Sequence, residues 1–62
     1  MNKVVIIIEH LKNGYWGAWY KVDTKDQQFK DSCGSFHDYK EAFIWTTSQI
    51  TYIEEVLIPN FC

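Results

Sequence analysis

The chain has 62 residues, of which 47% are hydrophobic and 23% are charged, and its formal net charge is −2. This length predicts one domain, 1–62, and this composition argues against intrinsic disorder. The basic residues are six lysines, and arginine is absent. A chain with a negative net charge and no arginine is a poor candidate for binding nucleic acid.

A β-hairpin is predicted at the start of the chain. Lys3–Leu11 is rich in β-branched residues and predicts a strand, and Tyr15–Val22 predicts the returning strand. Asn13 and Gly14 lie between them and predict a two-residue type I′ turn. The apolar run inside the first strand is too short for a signal sequence or a membrane span, so we expect a cytoplasmic protein.

The predicted turn sets the register of the hairpin, because it pairs Leu11 with Trp16. One face, expected to carry the helix, then contains Val5, Ile7, Glu9, Leu11, Trp16, Ala18, Tyr20 and Val22. The opposite face contains Val4, Ile6, Ile8, His10, Tyr15, Gly17, Trp19 and Lys21.

A weak edge strand is predicted at Gln27–Ser32, followed by a loop and then a helix. Asp38 is a suitable N-cap, and Glu41 can reach back to form a capping box. The helix should end near Gln49 or Ile50, with Trp45 on its flank. Its predicted buried stripe consists of Tyr39, Ala42, Phe43, Thr46, Thr47 and Ile50.

A last strand is predicted at Thr51–Ile58 and should end at Pro59, which lacks a ladder donor. The order is therefore β-β-β-α-β. This order predicts an α+β fold in which a small antiparallel sheet carries one helix packed on one face.

The first strand is apolar without interruption from Val4 to Ile8, which is unusual for a sheet with one helix. Either the chain itself covers the second face, with the last strand central, or this face binds a second copy or another protein. We favour the interface, since apolar patches of this size mark binding sites. The predicted partner-binding residues are Ile6, Ile8, Tyr15, Trp19 and Trp45.

Catalysis and metal binding are not expected. Cys33, His37 and Asp38 are close in sequence, but this spacing alone is not specific for a nucleophile and its base. A structural zinc site needs four suitably spaced ligands, and the two cysteines and two histidines are scattered. We therefore predict that the protein is not an enzyme and needs no cofactor, and that both cysteines are reduced.

The leading hypothesis is a cytoplasmic binding protein that inhibits a protein partner and forms a homodimer. One alternative is a homo-oligomeric sponge for a small nucleotide-like ligand, clamped by rings such as Tyr15 and Trp19. A further alternative is an accessory domain associated with nucleic acid.

The stretch from Gly14 and Tyr15 through the run 38–42, Asp-Tyr-Lys-Glu-Ala, resembles the partial RNase-H fold of HicB-type antitoxins. These domains open with a hairpin and continue with a capped helix that contains Glu-Ala in its first turn. The resemblance implies a small domain that docks on another protein and blocks it. In its size and acidity, the chain also resembles small phage-encoded inhibitors of host defence systems.

Overall fold

A computed structural model describes residues 2–57, which form a three-stranded antiparallel sheet and a helical segment. The strands are β1 (Lys3–His10), β2 (Trp16–Asp23) and β3 (Gln28–Phe36), followed by α1 (Tyr39–Tyr52) and a π-helix (Ile53–Leu57). The strand order β1-β2-β3 makes β2 central. The helix α1 packs mainly on β2 and β1. The predicted α+β class, with one helix on a small antiparallel sheet, is confirmed.

The turn between β1 and β2 contains three residues rather than the predicted two. Leu11 N–H donates to Tyr15 O at 2.8 Å, and Gly14 N–H donates to Leu11 O at 3.2 Å. Gly14 has a φ of 89°, and no other described residue has a positive φ. A type I′ turn needs two such residues, so that prediction is wrong, and the geometry is that of a three-residue loop ending in a left-handed glycine.

The extra loop residue shifts the hairpin register by one. Ile6 faces Tyr20 across the strands, instead of Ile7 as predicted. Since side chains alternate along a strand, this shift exchanges the two faces of β1 and leaves those of β2 as predicted. Ile6 and Ile8 therefore lie on the helix-bearing face, and Val5 and Ile7 lie on the other face.

The edge strand β3 extends to Phe36 and includes residues 33–35, which the sequence predicted to be a loop. The register of its pairing with β2 shifts by one residue near Gly17, where two residues of β3 lie opposite this single residue of β2. Such a bulge bends the strand and increases its local twist.

The start of α1 agrees with the prediction. Asp38 is the N-cap, and its Oδ1 accepts a hydrogen bond from Glu41 N–H at 2.9 Å. Glu41 Oε1 in turn accepts from His37 N–H at 3.4 Å, one residue before the position of an ideal capping box. The bond from Glu41 satisfies an N–H group that the first helical turn leaves without a partner, and the bond from His37 ties the preceding residue to the helix.

The strand predicted at Thr51–Ile58 is wrong over its described part, because the chain remains helical through Leu57. The N–H of Ile53 donates to Gln49 O and Ile50 O, which continues the helical hydrogen bonding. The predicted end of this strand at Ile58, together with Pro59 and Cys62, lies outside the described residues.

The core lies between β2 and the C-terminal half of the helical segment. Tyr20, Val22 and Ile53 are 5%, 0% and 3% exposed and pack together. Thr46 is also fully buried, and its hydroxyl donates to Ala42 O at 2.9 Å. Since this bond satisfies the hydroxyl, the burial of a polar side chain here costs little.

The helix is rotated relative to the predicted stripe. Tyr39 and Phe43, which were predicted to be buried, are about half exposed. Trp45, which was placed on the flank, packs its ring 5.7 Å from the rings of both Tyr20 and Phe36. Trp45 is therefore part of the core packing. No helix in the described range 2–57 combines the length and apolar character needed to cross a membrane.

Candidate functional site

The sheet surface opposite α1, called here the open face, is the candidate site. The hairpin register and the β2–β3 register bring side chains from all three strands onto it. They are Lys3, Val5, Ile7, Glu9 and Leu11 of β1 and its turn, Gly17, Trp19, Lys21 and Asp23 of β2, and Gln28, Lys30 and Ser32 of β3.

The centre of the open face is apolar and exposed. Ile7 lies directly opposite Trp19, and Trp19 lies directly opposite Ser32. The exposed fractions of Ile7 and Trp19 are 41% and 36%. An indole beside an aliphatic side chain at an accessible position is typical of a binding surface, where aromatic anchors supply most of the energy.

A shallow depression of about 190 Å³ lies beside this apolar centre. Its lining includes the glycines at positions 17 and 34 together with Leu11 and Trp19. A Cβ atom at Gly17 would meet Leu11 Cδ1 at 3.2 Å. The absence of a side chain at Gly17 therefore lets Leu11 fold over the sheet and complete the apolar surface.

A wider depression of about 520 Å³ lies toward β3. Its lining combines the Trp19 side chain with Lys30, Asp31 and Ser32 of β3 and with Tyr20. Trp19 and Ser32, which face each other across the β2–β3 ladder, line both depressions. The pKa of Tyr20 is raised above its ordinary value, first by burial and second by the nearby charge of Asp31.

The rim of the open face carries lysines at the end nearest Val5. Lys21 lies directly opposite Lys30 in the β2–β3 ladder, and like charges in this position repel each other. Lys21 Nζ lies 3.4 Å from Asp23 Oδ2, which offsets part of its charge. Lys30 has no ion-pair partner within residues 2–57, so its ammonium group is free to bind an external carboxylate.

Asp23 predicts a measurable acid dependence of stability. The pKa of Asp23 lies below the ordinary value of 3.8, mainly because Gln28 donates a hydrogen bond to its carboxylate at 2.6 Å. Partial desolvation raises this pKa, whereas the nearby Lys21 lowers it further. A carboxyl group whose pKa is lowered by folding stabilises the protein at any pH above its pKa in the unfolded state. This stabilisation is lost as the pH falls through its pKa in the folded state. We expect the thermal midpoint of the wild type to fall more steeply below pH 3.8 than that of Asp23→Asn.

Differential scanning fluorimetry from neutral to strongly acidic pH measures this slope. The exposed turn residue Asp26 gives a control, since Asp26→Asn removes one carboxylate without touching Gln28 or Lys21. Identical slopes for wild type and Asp23→Asn would show that the Asp23–Gln28 bond contributes nothing to folding.

The predicted site residues do not all share one surface. Trp19 is at the centre of the open face, and Tyr15 is 41% exposed at the turn, with its ring 5.7 Å from that of His37. Ile6 and Ile8 lie on the helix-bearing face, and Trp45 packs on the core. The open-face residues that the predicted register placed on the wrong side are Val5, Ile7, Glu9 and Leu11. The signal for them was Gly14, which suits a three-residue loop as well as a two-residue turn.

A second group of rings packs at the turn end of the helix-bearing face. The Trp16 ring stacks on His10 at 4.8 Å and meets Tyr39 edge-on at 5.6 Å. Tyr39 in turn stacks on Phe43 at 6.2 Å. Because these contacts join the hairpin to the first turns of α1, we assign this group a structural role.

The residues considered for catalysis have other contacts. Cys33 Sγ lies 3.9 Å from Ser35 Oγ, the His37 ring packs on Tyr15, and the Asp38 carboxylate caps α1. Within the described part of the chain, no group of three or more His, Cys, Asp or Glu side chains could hold a metal ion.

Comparisons of the chain with models of protein families, with curated proteins and with solved structures give no match. The resemblance to HicB-type antitoxins therefore stays a prediction.

Proposed function

We propose that this protein binds another protein through the open face and inhibits it by occupying its surface. The observation that carries the proposal is the exposed apolar pair of Trp19 and Ile7 on a sheet face that α1 does not cover. Because β2 is paired with a strand on each side, the backbone at Trp19 is already ordered before binding, which favours affinity.

The charges on the rim define the chemistry of the partner surface. Lys21 and Lys30 repel each other across the ladder, and Lys30 lacks an ion-pair partner within residues 2–57. A carboxylate of the partner placed near Lys30 would relieve this repulsion. The expected partner surface is therefore an apolar projection that enters beside Trp19, with acidic side chains next to it.

The apolar centre offers a partner one large aromatic anchor, Trp19. Trp19 lines two depressions, so a partner side chain that enters either depression can contact Trp19. Truncation of a central tryptophan of this kind costs about 2 kcal/mol or more, which is about a 30-fold loss of affinity. The resemblance to HicB-type antitoxins implies the same class of function, a small domain that blocks a protein.

Co-purification from the native host, followed by titration of the purified partner, tests the proposal. We expect the wild type to retain the partner, Trp19→Ala to lose it, and Lys30→Glu to weaken it in a salt-dependent way. Ile44→Ala is the matched control, because Ile44 is an exposed apolar residue on α1, away from the open face. Equimolar wild type should also reduce the activity of the partner.

Equal retention by Trp19→Ala and wild type would contradict the proposal, as would loss of the partner in Ile44→Ala. Capture that disappears after nuclease treatment would identify the occupant as nucleic acid and would also overturn it.

A second candidate function is the binding of a small planar ligand beside Trp19. It is favoured by the depression of about 520 Å³, which combines the indole with Lys30 and Ser32. Volumes of this size are common among ligand sites. Native mass spectrometry of protein purified from its host tests this candidate, because a retained ligand adds a discrete mass that Trp19→Ala should remove.

A further inference from the structure

The outer edge of β1 is an exposed strand without the usual protection. No strand within residues 2–57 pairs with this edge. Its central part, Val4–Ile8, contains no charge, proline or bulge. Natural edge strands normally carry such features because an unprotected edge pairs with other chains. The opposite edge, β3, has them: a bulge, and charges at Lys30 and Asp31.

The hydrogen-bonding groups on this edge can be assigned by parity. Leu11 donates its N–H across the hairpin to Tyr15 O. Peptide groups alternate in direction along an antiparallel strand, so the odd-numbered residues of β1 point their N–H and C=O groups toward β2. Val4, Ile6 and Ile8 therefore point theirs toward the free edge.

We propose that a second copy of this chain pairs with β1 in an antiparallel arrangement, with the two-fold axis at Ile6. In this register Ile6 faces Ile6 of the second copy, and Val4 faces Ile8. All of these residues have outward-pointing groups, so the edge hydrogen bonds are formed reciprocally. The two sheets become one six-stranded sheet, with both helices on the same face.

Charge complementarity selects this register over its neighbours. With the axis at Ile6, Lys3 of each copy lies directly opposite Glu9 of the other, and both side chains are on the open face. An axis at Val5 would place Lys3 opposite Ile7, and an axis at Ile7 would place it opposite Leu11. Only the register centred on Ile6 pairs opposite charges at both ends of the strand.

The dimer also shields apolar surface that one copy leaves exposed. On the helix-bearing face, Val4 and Ile6 are 39% and 40% exposed, because the helix covers this edge incompletely. On the open face, Val5 of one copy comes to lie opposite Ile7 of the other. The two apolar centres then merge into one patch with a Trp19 on each side.

Light scattering and analytical ultracentrifugation of the full chain test this inference. It does not rest on the proposed partner binding, because the mass is measured without any partner. We expect the wild type to have about twice the 7.4 kDa mass of one chain. Lys3→Glu alone and Glu9→Lys alone each create two repulsive pairs, and each should weaken the dimer about tenfold.

Mixing the two variants provides the decisive measurement. Lys3→Glu has two acidic residues and Glu9→Lys has two basic residues at the paired positions, so an equimolar mixture should form a heterodimer with affinity close to that of the wild type. Lys25→Glu is the matched control, because it makes the same change of charge in the exposed β2–β3 turn. Circular dichroism of each variant verifies the fold, since Lys3 also lies opposite Asp23 within one copy.

Amide hydrogen exchange probes the same interface in the wild-type protein, without any substitution. The N–H groups of Val4, Ile6 and Ile8 should be protected in concentrated protein and exchange rapidly on dilution, whereas those of Val5 and Ile7 should be protected at both concentrations. A monomeric mass at every concentration would overturn the inference. So would a dimer whose affinity is unchanged by either charge variant, or is not restored by mixing them.

Discussion

Replacing Ile53 with alanine should leave a large fraction of the protein unfolded at room temperature. Ile53 is 3% exposed and packs with Tyr20 and Val22, although it lies in the short π-helix after α1. Truncation of a buried isoleucine costs about 2–5 kcal/mol. A core in a domain of this size supplies only about 3–5 kcal/mol in total. Urea denaturation followed by circular dichroism measures the loss.

Val56→Ala is the matched control for this substitution. Val56 belongs to the same π-helix but is 57% exposed, so its truncation should change stability by less than about 0.5 kcal/mol. A comparable loss in both variants would mean that the substitutions act on the helical conformation of this segment. A negligible loss in Ile53→Ala would show that the segment does not close the core.

The contrast between these neighbours also explains why the last element was mispredicted. Ile53 and Leu57 are four residues apart, a spacing that places two side chains on one face of a helix or on one face of a strand. The preference of β-branched residues for strands is weak and is readily overridden by packing. Here the contact of Ile53 with Tyr20 and Val22 decides the conformation, and that contact joins residues that lie about half the chain apart in sequence.

The hairpin shows the same limit on a smaller scale. The positions of both strands followed from composition, and the N-cap at Asp38 followed from local chemistry. The loop length did not, because Asn13-Gly14 is compatible with loops of two or three residues. One residue of difference moves every β1 side chain to the opposite face, so Ile7 replaces Ile6 and Ile8 beside Trp19.

Of the two tryptophans in the predicted site, one was placed on the correct surface and the other was not. Trp19 was placed correctly because the faces of β2 do not depend on the turn: Tyr20 and Val22 are its obvious core residues, and Trp19 must then point the other way. Trp45 was misplaced because apolar and polar residues are interspersed around α1, which leaves the direction of the core ambiguous from periodicity alone.

The difference between these two tryptophans predicts opposite effects on stability and binding. The Trp45 ring lies 5.7 Å from both Tyr20 and Phe36, so Trp45→Ala should lose about 3 kcal/mol of stability. Trp45→Phe keeps a ring in this position and should recover most of that loss. Trp19 is 36% exposed on the open face, and Trp19→Ala should cost less than about 1 kcal/mol.

Urea denaturation followed by far-ultraviolet circular dichroism compares the three variants without relying on tryptophan emission. Partner capture should show the reverse order: Trp45→Phe retains the partner and Trp19→Ala loses it. If Trp19→Ala remains folded but loses the partner, the loss is caused by the missing indole, which lines both depressions, and not by unfolding. If Trp19→Ala is instead the more destabilised variant, Trp19 is a structural ring, and the open face is not the surface that this protein uses to bind.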